Sequence, residues 1–279
     1  MMKKIVPFIV FLLTLVACTD DFSKSEKVAP IVVEGYIENN KLARVFLTFP
    51  FSLNDEIGET TYKNYINSYA KVVVSSDTES EILTFKRDDN LVPPFYYSTS
   101  LMTGKAGETY RLEVIYYGDT ITAVTTIPPE PIVIDSLWSE EIKNDTLHRN
   151  IFLSFEKLSS TQTNYYRFYT QTQNQKIYYP IKSATYCDET LGQTITVGVM
   201  GGAENMLDTC TTPYFSIGDT VKVKASVIDA GAGAFWKQFN NETSFNNPFS
   251  NGSNLPSNVK GGLGVWTGMN SVQKQIIIK

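Results

Sequence analysis

The chain has 279 residues, of which 19% are charged and 13% aromatic, and its formal net charge at pH 7 is −5. An acidic chain is a poor candidate for nucleic-acid binding, which depends on clustered lysine and arginine to neutralise phosphates. The 16 Tyr and 16 Phe, with 42% hydrophobic residues overall, are enough for buried cores and favour β-strands over disorder. The length suits one large domain or two ordinary ones, and we favour two.

The N-terminal segment has the features of a secretory signal peptide. Lys3 and Lys4 precede an apolar run that is too short to span a bilayer, which needs about 20 such residues. The residues Leu15-Val-Ala-Cys18 then resemble the bacterial lipobox, in which the cysteine is lipidated and becomes the first residue. We therefore expect a signal peptide over 1–17, palmitate and other acyl chains on Cys18, and a polar tether over 18–30. An ordinary signal peptide with a chance cysteine is the alternative.

This lipid modification would determine where the protein lives. Two or more acyl chains anchor a protein stably to a membrane, because every buried methylene contributes. Asp20 and Asp21, just after Cys18, resemble the acidic patch that sends lipoproteins of the Bacteroidota to the outer face of the outer membrane. We expect a lipid-anchored outer-membrane protein on the cell surface, with the periplasmic face as the alternative.

Alternating apolar residues predict a first β domain over residues 31–131. The clearest hairpin has its turn at Gly118-Asp119, with Tyr110, Leu112 and Val114 on one face. About seven short strands at this spacing suggest an Ig-like β-sandwich. The prolines of 127–131 end the domain, since they cannot donate to a strand ladder. The predicted strands are 31–37, 43–49, 69–75, 81–85, 95–98, 107–117 and 120–126, with a long loop over 50–67.

A second domain, also rich in β-strands, is predicted over residues 132–279. Ala232, Phe235, Trp236 and Phe239 are spaced as one face of a short helix, which makes core packing the first interpretation of this stripe. The fold class is therefore all-β, an N-terminal Ig-like sandwich followed by a second β domain with one short helix. Residues 183–214 are expected to form an irregular, protruding loop. The predicted strands are 132–138, 149–155, 164–169, 176–179, 220–228 and 272–278.

Two cysteines remain if Cys18 is lipidated. Cys187 and Cys210 form an even pair, which in an oxidising exported compartment predicts a disulfide. Two free thiols are the first alternative. A metal site is the second, but it would need further ligands, and the chain has a single histidine, His148.

The order of several short segments resembles the Bacteroidota lipoprotein family catalogued as domain of unknown function 4249. That resemblance implies an outer-membrane lipoprotein of two β-rich domains, frequently encoded beside TonB-dependent receptors of the SusC type. It carries no established catalytic or binding residues that could be transferred, and the pair of cysteines is not part of its pattern. The segments that carry the resemblance are 31–37, 107–114, the proline-rich junction into 134–137, 165–168, 218–221, 228–229, 247–250 and 258–266.

Catalytic and metal-binding patterns are weak in this chain. His148 lies in a turn-like stretch without a nucleophile pattern, and we expect it to be a solvated loop residue. Gly262-Leu-Gly-Val-Trp-Thr267 is interpreted as a tight glycine turn, because the helical context of a dinucleotide site is absent. The carboxylate pairs Asp88-Asp89 and Glu140-Glu141 are expected to be solvated, and Asp88-Asp-Asn90 lacks a calcium-loop pattern. We expect neither an enzyme nor a bound metal or cofactor.

The aromatic residues are the better candidates for ligand contacts. Trp138, Trp236 and Trp266 could stack on sugars or peptide side chains if they are exposed. Neighbouring residues of a strand point to opposite faces, so each of the doublets Tyr96-Tyr97, Tyr165-Tyr166 and Tyr178-Tyr179 should direct one ring outward. Core and interface packing is the competing interpretation for every one of them.

The resulting functional hypothesis is a non-enzymatic accessory subunit of a TonB-dependent nutrient importer, with a SusC-like receptor as its partner. The alternatives are a stand-alone surface protein that binds a glycan or peptide, and a structural or adhesive surface protein. The first part of this hypothesis depends on the family resemblance.

The proposed bridge between Cys187 and Cys210 can be tested by mass spectrometry of the exported protein. We expect a mass gain of two alkyl groups only after reduction, because a disulfide protects both sulfurs from the reagent. A Cys187→Ser variant is the control, since its remaining thiol should react without reductant. Alkylation of the unreduced wild-type protein at either cysteine would contradict the bridge.

Overall fold

The structure is a computed structural model, and it describes residues 30–50, 62–159, 163–189, 191–202, 214–244 and 255–279. Within these ranges the side chains of 182–184 and 242–244 are left undescribed. The signal peptide, Cys18, the tether up to residue 29 and Cys210 lie outside the described residues.

Strands make up most of the described chain, which confirms the mainly β fold class. In the first half they are β1 (Val32–Glu38), β2 (Leu42–Thr48), β3 (Lys71–Ser75), β4 (Ser80–Ile82), β5 (Thr84–Arg87), β6 (Phe95–Thr103), β7 (Thr109–Tyr116) and β8 (Asp119–Thr126). They continue with β9 (Ile134–Ile142), β10 (Asp145–Glu156), β11 (Tyr165–Thr172), β12 (Tyr179–Cys187), β13 (Thr194–Val199), β14 (Phe215–Ser216), β15 (Thr220–Ile228), β16 (Val259–Lys260) and β17 (Leu263–Ile277). The helices are a short 3-10 turn, Tyr62–Tyr65, and α1 (Ala230–Ser244).

A single eight-stranded sheet runs through both halves of the chain, in the order β12-β11-β15-β17-β1-β2-β6-β5. The long last strand, β17, lies in the middle of this sheet. The first part of β17 pairs in parallel with β1, from Leu263 beside Val32 to Met269 beside Glu38. The second part pairs antiparallel with β15, from Met269 beside Ile228 to Ile277 beside Thr220. One strand therefore joins the two halves by continuous backbone hydrogen bonding.

The inner face of the eight-stranded sheet is covered by two smaller sheets, which creates two sandwiches. A five-stranded sheet, β16-β8-β7-β3-β4, packs on the half that contains β1, β2 and β6. The apolar side chains that alternate along each strand meet between the layers, as expected for aligned sheets. The buried residues of this first core include Val33, Ile37, Val45, Leu47, Val72, Val74, Tyr97, Tyr110, Leu112, Val114, Ile127 and Trp266.

The second sandwich places β9, β10, β13 and β14 over the half of the large sheet that contains β11, β12 and β15. Its strands alternate in the same way, and β10 contributes three fully buried side chains to the core. The buried residues of this second core include Ile132, Ile151, Leu153, Phe155, Tyr166, Phe168, Ile195, Val197, Phe215, Val221, Val223, Ala225 and Val227.

The chain passes between the two cores through the proline-rich segment 127–131, which lies against the middle of β17. Asn270 donates a hydrogen bond of 2.9 Å from its Nδ2 to the carbonyl oxygen of Pro128. The backbones of β8 and β17 approach closely at this point, so that a Cβ at Gly268 would lie 2.7 Å from the carbonyl oxygen of Thr126. Glycine at 268 is therefore required for the close approach of β8 and β17.

Helix α1 lies on the outer face of the eight-stranded sheet, where its apolar stripe packs against β11, β12 and β17. Asp229 caps the helix: its Oδ1 accepts a 3.0 Å hydrogen bond from the backbone N–H of Ala232. Its other carboxylate oxygen accepts from Thr125 Oγ1 at 2.6 Å and from the N–H of Gly268 at 3.2 Å. One side chain therefore ties the helix to both strands that meet at the junction. No helix among the described residues is long and apolar enough to cross a membrane.

The predicted hairpin and the predicted helix are present, and the turn of the hairpin is at Gly118, with φ of 91°. Three expectations need correction. Residues 263–267 belong to β17 and do not form a turn, because their backbone pairs with β1. The segment 183–214, expected to be irregular, contains the end of β12 and the whole of β13. The chain also returns to the first core after residue 131, since Val259 and Trp266 are buried there.

Replacing Trp266 tests the return of the C-terminal strand to the first core. Its ring is fully buried and its Nε1 donates to the carbonyl oxygen of Tyr110 at 3.2 Å. We expect Trp266→Ala to lower the free energy of unfolding by about 3–5 kcal/mol, the usual cost of a large core cavity. Urea unfolding followed by far-UV circular dichroism measures it.

Trp138→Ala is the matched control, because Trp138 is half-buried and stacks on Phe152 with 5.7 Å between ring centroids. The lost aromatic contact should cost about 0.5–1.5 kcal/mol. Equal losses in the two variants would contradict the placement of Trp266 in the core.

Candidate functional site

A cleft of about 170 Å³ opens on the outer face of the eight-stranded sheet, beside helix α1. Both halves of the chain contribute to it, since β1, β2, β11, β15 and β17 supply its floor. The loop between β5 and β6 and the start of β12 supply its sides. We call it the central cleft, and it is lined by Glu34, Gly35, Tyr36, Phe46, Leu91, Val92, Arg167, Tyr169, Tyr178, Pro180, Lys224, Trp236, Thr267 and Met269.

Strand alternation explains which side chains reach the cleft. Along β1, Val33 and Ile37 point into the first core, so Glu34 and Tyr36 point to the opposite face. The same alternation in β11 places Tyr166 and Phe168 in the second core and turns Arg167 and Tyr169 outward. The cleft is thus formed by the side chains that alternate with the core side chains along these strands and point to the outer face.

Arg167 occupies the part of the cleft nearest the helix, and only 4% of it is exposed. The guanidinium carbon lies 3.7 Å from the ring centroid of Trp236 and 5.7 Å from that of Tyr169. The Nη1 atom donates a 3.2 Å hydrogen bond to Thr185 Oγ1. Stacking on an aromatic face compensates part of the desolvation of the charge, because the ring quadrupole attracts a cation.

Lys224 is the second buried cation of the cleft. Its Nζ lies 3.2 Å from Glu38 Oε2 and 4.4 Å from the ring centroid of Tyr169. Lys41 approaches the other oxygen of Glu38 at 2.6 Å, so this carboxylate has two cationic partners. Burial raises the pKa of Glu38, but the charges of Lys224 and Lys41 together lower it by more than burial raises it. The pKa of Glu38 therefore lies below the ordinary value.

Glu34 differs from Glu38, since no Lys, Arg or His side chain among the described residues lies within 4.0 Å of its carboxylate. Glu34 is exposed to solvent at the cleft mouth, although many protein atoms lie around its carboxyl. This desolvation raises the pKa of Glu34 above the ordinary value, and the charge of Arg167 opposes part of the rise.

A third cation lies beside residues that line the cleft. Arg44 stands 5.2 Å from the ring centroid of Tyr96, which packs on Phe46 with 5.8 Å between centroids. Burial raises the pKa of Tyr36 to about 12, although Arg44 nearby opposes the rise. Tyr36 is therefore a neutral phenol at physiological pH.

The arrangement offers hydrogen-bond donors from Arg167 and Lys224, an acceptor from Glu34, and aromatic walls on a rigid sheet. These are groups that bind and orient a small charged or polar molecule. The described residues contain no group of three or more His, Cys, Asp or Glu side chains that could hold a metal ion.

The three tryptophans named from the sequence lie in three different places. Trp236 lines the central cleft, and its Nε1 donates to Thr267 Oγ1 at 3.4 Å. Trp138 lies on the solvent face of the sheet formed by β9 and β10, where its Nε1 donates to Glu140 Oε1 at 2.7 Å. Trp266 is enclosed in the first core, so the expectation that it contacts a ligand is wrong for this structure. Its strand position turns it inward, towards the five-stranded sheet.

The tyrosine doublets behave as predicted, with one ring on each face of the sheet. Tyr97, Tyr166 and Tyr179 are buried on the inner side. Their neighbours Tyr96, Tyr165 and Tyr178 lie on the outer face, where Tyr178 lines the central cleft.

The remaining candidates are dispersed. Cys187 accepts a 3.0 Å hydrogen bond from Lys237 Nζ and has no disulfide partner among the described residues; Cys210 lies outside them, so the bridge stays a prediction. His148 is part of β10 and not of a loop, and its Nδ1 lies 2.8 Å from Asp145 Oδ2.

The sequence reasoning missed Glu34, Arg167 and Lys224. A signal for them exists: each is a charged residue inside a strand of apolar or aromatic neighbours, as in Val-Val-Glu34-Gly-Tyr and Tyr-Tyr-Arg167-Phe-Tyr. Charged groups are rarely buried unless they have a partner or a role. Such residues in predicted strands could therefore have been singled out.

The contrast between the two glutamates can be measured by NMR titration of the side-chain carboxyl carbons. We expect Glu34 to titrate above the ordinary glutamate pKa, because it is desolvated, and Glu38 below it, because two lysines hold its charge. Replacing Arg167 by Gln should raise the pKa of Glu34 further, since the opposing charge is lost. Arg167→Lys, which keeps the charge, is the control. A midpoint for Glu34 below that of Glu38 would contradict this electrostatic picture.

Comparison with known proteins gives a family for the chain. The structure is similar to a crystal structure of the FN1–FN3 domains of chicken CNTN1, with 11% identity, a TM-score of 0.25 and 72% of this chain covered. The chain spans 58% of that structure's length. No curated protein matches the chain significantly. The family model described as Domain of unknown function (DUF4249) matches residues 19–275. The chain therefore belongs to the DUF4249 family.

Proposed function

We propose that this protein is a lipid-anchored, non-enzymatic binding subunit of the outer membrane, which presents the central cleft to a small ligand and works with a TonB-dependent receptor in nutrient uptake. The observation that carries the binding function is the central cleft itself. Its charged groups are fixed by the aromatic walls and by the sheet, so a ligand meets a preformed site.

Fixed charges in this cleft support the binding function. Lys224 is held by Glu38, and Arg167 is held between Trp236 and Tyr169. Groups that are immobilised in this way hold a ligand in one orientation.

The anchor and the location rest on the N-terminal sequence. Leu15-Val-Ala-Cys18 resembles a lipobox, and the polar residues up to Pro30 would separate the folded part from the membrane. An extended tether of this length would reach about 40 Å. That distance would let the cleft face a neighbouring membrane protein.

The receptor partner follows from the family resemblance, which includes frequent genetic association with SusC-like TonB-dependent receptors. A stand-alone surface protein for a glycan or peptide is the second candidate. It would use the same cleft without a receptor.

Changing Cys18 to Ala tests the anchor. We expect the variant to lose palmitate labelling and to leave the membrane fraction, because the acyl chains are the only attachment that we propose. Cell fractionation with a metabolic palmitate label measures both. Cys187→Ala is the matched control and should remain labelled. A Cys18→Ala protein that stays in the outer membrane would contradict the anchor.

A mild-detergent pull-down of the tagged chain from native outer membranes tests the partner. We expect one TonB-dependent receptor in stoichiometric amount, identified by mass spectrometry. Recovery of the protein alone would contradict the accessory-subunit function and favour the stand-alone binder.

A further inference from the structure

The central cleft contains one cation and one anion that have no ion-pair partner within 4.0 Å among the described residues. Arg167 is 4% exposed, and no carboxylate among the described residues lies within 4.0 Å of its guanidinium. The hydroxyl oxygen of Thr185 accepts from it, and the ring centroid of Tyr169 lies 5.7 Å from its guanidinium carbon. A guanidinium has more donors than these two contacts use. A buried charge is usually paired, so Arg167 is the group of this cleft that would receive an anionic group of a ligand.

Glu34 is a solvent-exposed carboxylate on the floor of the same cleft. The charge of Arg167 is felt at Glu34, yet the two side chains do not form an ion pair within 4.0 Å. The other carboxylate nearby, Glu38, is already held by Lys224 and Lys41. A molecule that bridges the space between Arg167 and Glu34 would therefore satisfy both groups at once.

The aromatic walls do not favour a neutral sugar. A sugar ring stacks on a free aromatic face, but Arg167 already covers Trp236 at 3.7 Å. Lys224 covers Tyr169 at 4.4 Å and approaches Tyr178 at 5.6 Å. The protein's own cations use one face of each of these rings, which makes charge the more prominent means of recognition.

The size of the cleft limits the ligand further. Its volume is about 170 Å³, while pockets for larger organic ligands are about 300–1,000 Å³. A cleft of this size can enclose a group as small as one amino acid or a dipeptide.

We infer that the central cleft binds a small zwitterion of the amino-acid class, with its carboxylate on Arg167 and its ammonium on Glu34. This inference rests on the proposed binding function and names its ligand chemistry. A free amino acid and a dipeptide both carry this chemistry. They differ in the distance between their charges, so binding experiments separate them.

Isothermal titration calorimetry of the full lipidated chain in mild detergent tests the inference. The probes are the standard L-amino acids and the dipeptides of glycine with each of them. The tightest binder is then compared with its N-acetyl form, which lacks the ammonium, and its C-terminal amide, which lacks the carboxylate. We expect each blocked form to bind about tenfold more weakly or worse, because a charge-assisted hydrogen bond is lost.

Variants assign each charge of the ligand to its residue. Glu34→Gln should remove most of the preference for the free ammonium over the N-acetyl form, while the preference for the carboxylate remains. Arg167→Lys should reduce the preference for the carboxylate over the amide, because lysine cannot form the paired contact. Glu130→Gln and Arg111→Lys, at exposed positions outside the cleft, are the matched controls and should bind as the wild type does.

If Arg167→Lys fails to fold, Glu34→Gln still tests the inference. This variant should fold, because Glu34 is reached by solvent and no described Lys or Arg forms an ion pair with it within 4.0 Å. Blocked and free ligands of equal affinity would overturn the inference. So would the absence of binding by every amino acid and dipeptide. Binding of maltotriose alone would also overturn it, while leaving the proposed binding function in place. The receptor pull-down decides the accessory-subunit function separately.

Discussion

The structure depends on the pairing of β17 with two different strands. Its first part extends the ladder of β1 and its second part extends that of β15, so residues distant in sequence share one sheet. Without this strand the sandwiches would have separate sheets joined by a proline-rich linker. With it, the side chains of β1 and β11 lie on one continuous outer face. The central cleft exists only because of that continuity.

The two faces of the eight-stranded sheet have different roles. The inner face is apolar and fills both cores, which provide most of the stabilising burial. The outer face carries cations that are stacked on aromatic rings, and helix α1 covers only part of it. Arg167 and Lys224 lose water there, and their aromatic neighbours with Glu38 compensate part of that cost. Arg167 and Glu34 have no ion-pair partner within 4.0 Å among the described residues, and a ligand would use these two charges.

The aromatic residues show how a correct local inference can leave a site undefined. Alternation determines that one tyrosine of each doublet faces outward, and this holds for Tyr96, Tyr165 and Tyr178. It does not determine which strands are neighbours. Trp236 and Trp266 look equivalent in sequence, but one lines the cleft and the other is enclosed in the first core. The difference is the face of the sheet that each tryptophan meets, which depends on pairing between distant strands.

The amino-acid sequence by itself determined the class of the fold, most strand positions, the helix and the family, because these follow from local periodicity, turn residues and the order of short motifs. It also gave the candidate lipidation site at Cys18, which is a local pattern. Only the tertiary structure decided that residues 263–269 return to β1, and that Glu34 and Arg167 share a cleft. Their separation in sequence is large, and side chains so far apart are brought together by the register of long-range strand pairs, which no local pattern encodes.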